Sequence, residues 1–379
     1  MTYDAVVVGG GLVGTACAYE LAGRGTRTLL VDRHDVGRAT DAGAGILSPE
    51  TITVDDDAWY ALAAAAGDHY RALVPALLAA GAPDPGYAAC GALRFAFRPG
   101  DDRWYAAGSE LALRRAGDVL REVSPDEARA MVPVLGEVRA AMHNPRAARV
   151  DGRDMTAALR HGAVARGVEE LASSVAGVVV ERGRATAVET DAGDRIETDA
   201  VVVAGGAWTP ALAAALGVDL PVAPTRGQIL HLRTDHLDPT DPSSDTGAWP
   251  ILQPVLSYYV VPWPDGRVAV GGTMEPDAGF EVRTTADGIR GLLHEMVQLA
   301  PGLGGASFAE VRVGLRPVSV DDAPIVGPLP GVERAFACTG HGANGLLLGP
   351  ISGALVADAV VGVEPTFDLT PFAPDRFLG

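Results

Sequence analysis

The first thirty-three residues constrain this chain more than any other stretch. An apolar run, Ala5 to Val8, suits a strand buried on both faces of a parallel sheet. Gly9, Gly11 and Gly14 follow in G-x-G-x-x-G spacing, and from Leu12 apolar residues recur at helical intervals (Val13, Ala16, Cys17, Leu21) until Gly23 and Gly25 stop the helix. A second apolar strand, Thr28 to Val31, ends in Asp32. A strand, a glycine turn, a helix, a strand and an acid in that order predict a dinucleotide-binding unit. Gly9 permits the tight turn, Gly11 lets the backbone approach a pyrophosphate, and Gly14 lets the helix pack closely on the strand. The helix start at Leu12 and Val13 offers unpaired N–H groups and a partial positive charge to that pyrophosphate. Asp32, with Arg33 beside it, is placed to accept hydrogen bonds from an adenosine ribose.

A chain of 379 residues exceeds what one core comfortably holds, so two domains are expected. Hydrophobic residues are 48% and charged residues 21%, a globular composition without a disordered segment. The net charge of −18 argues against nucleic acid or an anionic membrane as partner, since both select basic surfaces. Cys17, Cys90 and Cys338 are widely separated and form no C-x-x-C pair, so neither a metal site nor a dithiol redox centre is expected. The first strand begins near residue 3, leaving no room for a signal peptide, and no uninterrupted apolar run reaches membrane-spanning length. A cytoplasmic protein is the expectation.

Beyond Asp32, Gly43 and Gly45 bracket Ala44 in a loop whose amides could approach a flat ligand, although an ordinary glycine-rich connection reads the same way. Residues 58–82 read as a helix, 91–97 as a strand, and 124–131 as a helix capped by Ser124 with Glu127 three residues on. Residues 155–171 read as helical throughout, followed by strands near 174–180 and 185–190. A buried strand then meets the Gly205–Gly206 turn and another helix, read as a second contact to the same dinucleotide through Gly205, Gly206 and Trp208. Pro264-Asp265-Gly266 marks a hairpin turn, a helix is expected at 287–299, and a GHGANG loop precedes a closing helix from about Gly345 to Val361.

Taken in order, GGGLVG, AGAGILSP, VVVAGGAW, RGQI, YYVVPWPDGRVAVGGTMEP, GLRPVSVDDAPIVGP and TGHGANGLLLGP resemble the D-amino acid oxidase superfamily of FAD-dependent oxidoreductases across the whole chain. The glycine oxidase and sarcosine oxidase-like branch is the nearest match. The resemblance implies an α/β protein with a discontinuous Rossmann-like FAD-binding domain (1–50, 145–220 and 312–379). It also implies a second α+β substrate domain (51–144 and 221–311) built on a mixed, largely antiparallel sheet.

It further implies FAD in an extended pose, and oxidation of the C–N bond of a small amino acid or secondary amine (glycine, sarcosine or D-amino acid type). Hydride would pass to flavin N5, the imine would hydrolyse, and O2 would be reduced to H2O2. Alternatives are a dehydrogenase using a quinone or protein acceptor, and an FAD-binding subunit of a multi-chain dehydrogenase. Oligomeric state stays open, a homo-oligomer included.

By the same resemblance Arg316 would hold the substrate carboxylate, Tyr259 and Met274 would line the substrate site, and Ala44, Gly45 and Ile46 would pass near the flavin's reactive edge. Cofactor contacts would also come from Thr40, Val175, Arg316 and the run His341, Gly342, Ala343, Asn344, Gly345 and Leu346. Read without the resemblance, Arg316 could pair with a surface carboxylate, and Tyr259 could be a core aromatic, with Tyr258 on the opposite strand face. His341 is read as loop structure, because hydride transfer from a neutral amine needs no side-chain base. Glycine oxidases often carry an arginine where this chain has Ala343, so a larger or secondary amine is expected rather than glycine.

Overall fold

The computed structural model describes residues 2–378, so the outer ends of the expected cofactor domain, Met1 and Gly379, lie outside the described residues. The fold is mixed α/β with two principal sheets. The first has six strands in the order Ile325–Pro328, Ala335–Thr339, Val201–Val203, Ala5–Val8, Thr28–Asp32 and Glu169–Ala172. All its pairings are parallel except that of Ile325–Pro328 with Ala335–Thr339. Ala5–Val8 is buried along its length because helices cover both faces of a parallel sheet, which is why it reads as an unbroken apolar run.

Helix Leu12–Gly23 and the closing helix Gly345–Val361 are apolar nearly all round, as helices surrounded by protein must be. They cross closely: a Cβ on Gly353 would lie 2.8 Å from the Cys17 backbone nitrogen. Segment Gly342–Val361 is by length and composition apolar enough to span a bilayer, although Asn344, Ser352 and Asp358 interrupt it, and 67% of its most apolar window is buried against the rest of the protein. Its leucines and valines therefore contribute to the core, at roughly 1.5–3 kcal/mol for each one fully buried. Helix Leu12–Gly23 also packs over strand Ala335–Thr339, which brings Cys17 and Cys338, distant in sequence, side by side as free buried thiols, and burial pushes the Cys338 thiol well up.

The second sheet has eight strands: Ser307–Ser319, Val222–Arg233, Arg267–Gly271, Tyr259–Pro262, Ile251–Pro254, Ala92–Ala96, Ala140–Asn144 and Arg121–Val123. It is antiparallel apart from the pairing of Ile251–Pro254 with Ala92–Ala96. The expected hairpin turn joins Tyr259–Pro262 to Arg267–Gly271, and the Ser124–Glu127 capping box opens helix Pro125–Met131.

Three sequence expectations differ from the structure. The helix read over 155–171 runs Gly152–Ala165, because the Asp151 side chain caps its start and Gly167, at φ +90°, ends it. Glu169–Ala172 then becomes an edge strand beside Thr28–Asp32. Helix Asp57–Ala79, expected in the substrate domain, shares its buried side chains with the core under the six-stranded sheet, through Trp59, Leu62, Tyr70 and Leu77. Strand Ser307–Ser319 runs straight across the boundary expected at residue 312.

Candidate active site

One cavity of about 590 Å³ opens between the two sheets and touches nearly every residue expected at the site. Its first end is the glycine turn. Gly9 has φ +113°, a conformation open to glycine, and a Cβ there would strike the Ala204 carbonyl at 2.4 Å. Gly14 does not reach the cavity; a Cβ on it would lie 1.9 Å from the Gly9 carbonyl, which is the close helix-to-turn packing. Gly11 is different. A Cβ there would meet only the Thr40 hydroxyl at 3.4 Å, so what this glycine keeps clear is the cavity itself.

The Leu12 N–H donates to Thr40 Oγ1 at 3.1 Å, so one of the helix's free amides is already taken, and Val13 follows on the cavity wall. Asp32 lies at the end of its strand, where its carboxylate accepts from Arg38 Nη1 at 2.9 Å and faces His34 Nδ1 at 3.0 Å. Arg38 was not singled out from sequence, yet it lines this end. Arg33 pairs with Asp35 and lies over the Trp208 ring at 5.8 Å, while Trp208 also meets Phe280 at 5.7 Å. Val175, Gly205 and Gly206 complete the wall here.

The middle of the cavity is built by loop 43–46 and by the start of the closing helix. Ala44, Gly45 and Ile46 line it, with Ile46 in a short strand paired to Arg149. Opposite them, Gly342, Ala343, Asn344, Gly345 and Leu346 bring the N-terminus of Gly345–Val361 to the wall. Asn344, the N-cap residue, makes no side-chain capping bond, so the helix presents open amides and its positive end there. His341 is buried; its Nε2 lies 3.0 Å from Ser352 Oγ and its Nδ1 has no partner among the described residues. Burial pushes the imidazole down to about 4, so it stays neutral near pH 7.

Side chains of the eight-stranded sheet form the other end. Arg316 crosses the sheet to donate from Nη1 to the Thr273 carbonyl at 2.8 Å. Cβ atoms on Gly227 and Gly272 would lie 2.2 Å and 2.8 Å from its guanidinium, so two glycines make the slot that holds it. Tyr259 stands beside it, and a Cβ on Gly272 would lie 3.0 Å from the phenol oxygen. Burial pushes the phenol up, with the Arg316 charge opposing, so Tyr259 is a protonated hydroxyl. Met274 lines the cavity while remaining 60% exposed.

Tyr258 also lines the cavity, while its ring packs on the opposite sheet face, as expected, with the core around Val260 and with its hydroxyl towards Gly291 of helix Ala286–Leu299. Gln253, Ser257 and Ile229 join it there without having been read from sequence. The signal for Gln253 was a single polar residue inside the apolar strand Ile251–Pro254.

The order of these parts along one cavity is that of a family known from sequence and structure. The family model described as DAO, FAD dependent oxidoreductase, matches residues 4–359. This chain belongs to that family.

Members of the DAO family are FAD-dependent oxidoreductases. The chain is 33% identical over 389 residues to a glycine oxidase of Pseudomonas putida, covering all of both chains. It is 34% identical over 375 residues to the uncharacterised oxidoreductase YurR of Bacillus subtilis, covering 97% of this chain and 98% of that one. Among solved structures it is similar to iminodiacetate oxidase from Chelativorans sp. BNC1, with a TM-score of 0.91, 33% identity and 98% of each chain covered. It is also similar to glycine oxidase from Geobacillus kaustophilus, with a TM-score of 0.89, 29% identity and both chains covered entirely.

The DAO cofactor suits the residues present. The clear space beside Gly11 and the open helix start at Asn344–Gly345 are what a pyrophosphate and a flavin carbonyl would each require.

Proposed function

We propose that this enzyme oxidises the C–N bond of a small amino acid or secondary amine whose carboxylate is held by Arg316. The observation that carries this reading is the Arg316 guanidinium, set in a slot of glycines beside Tyr259, in the same cavity as the Gly9–Gly14 turn. When bound, FAD supplies a two-electron acceptor for the amine, whose imine product water hydrolyses while O2 is reduced to H2O2.

The chain's own residues bind and orient. Arg316 offers a planar fork to a carboxylate, and the protonated Tyr259 hydroxyl adds a donor from the neighbouring strand. The open amides at the start of Gly345–Val361 favour negative charge at the middle of the cavity. His341, neutral and held against Ser352, is a wall residue and not a base, so the amine enters already deprotonated. Ala343, exposed towards the cavity, leaves room for a substituent beyond glycine.

The three stretches 1–50, 145–220 and 312–379, joined by helix Asp57–Ala79, would carry the cofactor, and the eight-stranded sheet the substrate. We place the protein in the cytoplasm, supported by its acidic charge and by the burial of its most apolar helix.

The test is a panel of glycine, sarcosine, D-proline and other D-amino acids mixed anaerobically with the FAD-loaded protein. Sarcosine or a D-amino acid is expected to bleach the flavin faster than glycine, and admitting O2 should restore the colour with release of H2O2. Bleaching without recovery in O2 would assign a different electron acceptor. No bleaching by any carboxylate-bearing amine would overturn the reading.

A further inference from the structure

A chain of hydrogen bonds ends at the cavity. Asn144 is fully buried, and its Oδ1 accepts the Arg146 N–H at 3.0 Å. That fixes the amide the other way round for its Nδ2, which donates to Ser48 Oγ at 3.0 Å and to Glu50 Oε2 at 2.9 Å. Ser48 Oγ lies 2.7 Å from Thr51 Oγ1, a contact in which either hydroxyl can donate, and the Thr51 hydroxyl also reaches the Ser48 carbonyl at 3.3 Å. Thr51 in turn donates to Gln253 Oε1 at 3.1 Å. With its Oε1 turned to Thr51, Gln253 points its Nε2 the other way. Among the described residues that Nε2 donates to no protein group, and Gln253 lines the cavity. This half-buried amide, held at its oxygen by Thr51, presents two unused donors to the cavity, where an acceptor on a ligand can meet them.

Register places those donors. Leu252 pairs with Val260, so one step on Gln253 lies across from Tyr259. Tyr259 pairs with Gly271 on its other side, towards the slot that holds Arg316. Gln253 and Arg316 therefore flank Tyr259 from opposite sides, on strands four apart in the sheet order, about 19 Å between backbones at normal strand spacing.

We infer that Gln253 is a specificity residue that reads a second oxygen acceptor on the substrate, at the end remote from the carboxylate held by Arg316. The substrate class is then an amino acid whose nitrogen substituent or side chain bears a carbonyl or carboxylate. An amide donor suits a neutral or an anionic acceptor alike and asks for no second cation. The inference rests on the amine-oxidation reading above.

The test uses matched pairs differing in that acceptor: iminodiacetate against sarcosine, and D-aspartate against D-alanine. kcat/KM for anaerobic flavin reduction is measured in wild type, Gln253→Met and Gln253→Glu, with FAD content and the circular dichroism spectrum confirming the fold. The acceptor-bearing member of at least one pair should be favoured in wild type by about tenfold, the worth of one good hydrogen bond. Gln253→Met, similar in size but without donors, should bring that ratio to within about twofold of unity. Gln253→Glu keeps an acceptor for the Thr51 hydroxyl and should turn preference against the anionic member. Thr51→Val, which frees the amide to turn over, should weaken the same ratio partially, as a positioning residue would.

Ratios near or below one in both pairs of the wild type would overturn the inference, as would ratios that neither Gln253 variant moves in folded, FAD-loaded protein. If sarcosine or D-alanine reduces the flavin in that case, the amine-oxidation reading stands without it. If no amine in the panel reduces the flavin, that reading falls and takes this inference with it.

Discussion

The two ends of the cavity are built by different means. The glycine-turn end is mostly backbone: Gly9, Gly11, Gly14 and the start of helix Leu12–Gly23 come from six consecutive positions, and Asp32 arrives at the end of the next strand in the same sheet. The substrate end is mostly side chains, with Gln253, Tyr259 and Arg316 converging from three separate strands of the other sheet. The first end makes a shape that any sequence with the right glycines can supply. The second makes a set of directed donors that depends on register, on the glycine slot around Arg316, and on a relay running back to Asn144. Changes at the first should abolish cofactor binding outright, whereas changes at the second should spare the cofactor and alter turnover or choice of substrate.

Gly11→Val offers the sharpest break. Because a side chain there meets little of the protein and projects into the cavity, the variant should fold yet purify colourless. FAD occupancy by absorbance, beside an unchanged circular dichroism spectrum, checks this. Full occupancy would mean the turn does not face the pyrophosphate.

Arg316→Leu comes next. It should keep its FAD and lose roughly 2–5 kcal/mol of substrate binding, a factor of about thirty to several thousand in kcat/KM. Arg316→Lys should recover little, since a point charge cannot replace the planar fork. Flavin reduction kinetics on both variants decide the matter.

The nucleotide end was legible because its signal is local: apolar strand, glycine spacing, helix period and acid lie within one stretch of sequence. The substrate end was legible only through resemblance to a family, because no periodicity says which strands pair. Gln253 shows the difficulty, because it gains its meaning only from pairing beside Tyr259. Helix Asp57–Ala79 packs into the core of the six-stranded sheet, which its sequence could not say, since an amphipathic pattern reveals that a face is buried and not against what. The adjacency of Cys17 and Cys338, likewise, depends on a helix packing over a strand more than three hundred positions away.

His341 separates structure from chemistry at the middle of the cavity. Its folded pKa is depressed to about 4 from an ordinary 6.5, so the unfolded chain binds the proton first as pH falls. The neutral imidazole's contribution is fully present above about 6.5 and is lost on descending towards 4, up to roughly 3 kcal/mol in all. His341→Gln should therefore lose less stability than wild type between neutral pH and pH about 4.5 in urea titrations. His231, also held at about 4 by burial, keeps its own share in both proteins. Flavin reduction by the variant within about threefold of wild type would agree with a wall residue, whereas a loss of about a hundredfold or more would make it a base.

Ala343→Arg is the mildest change and the finest probe of the substrate end. Filling the space at Ala343 with a cation should move preference towards glycine by about 1–3 kcal/mol, read as the ratio of flavin reduction rates for glycine and sarcosine. A ratio that the arginine leaves unmoved would remove this position from the determinants of specificity.

That both ends belong to one working site is tested most directly by a carboxylate that cannot be oxidised. Acetate titrated into the FAD-loaded wild type should shift the visible flavin spectrum along a saturable curve, because the group that binds it stands in the cofactor's own cavity. In Arg316→Leu the same curve should move to concentrations at least about thirtyfold higher, matching the lower bound for losing a desolvated charge-assisted pair. A spectrum indifferent to acetate, or one that responds equally with and without Arg316, would contradict the account.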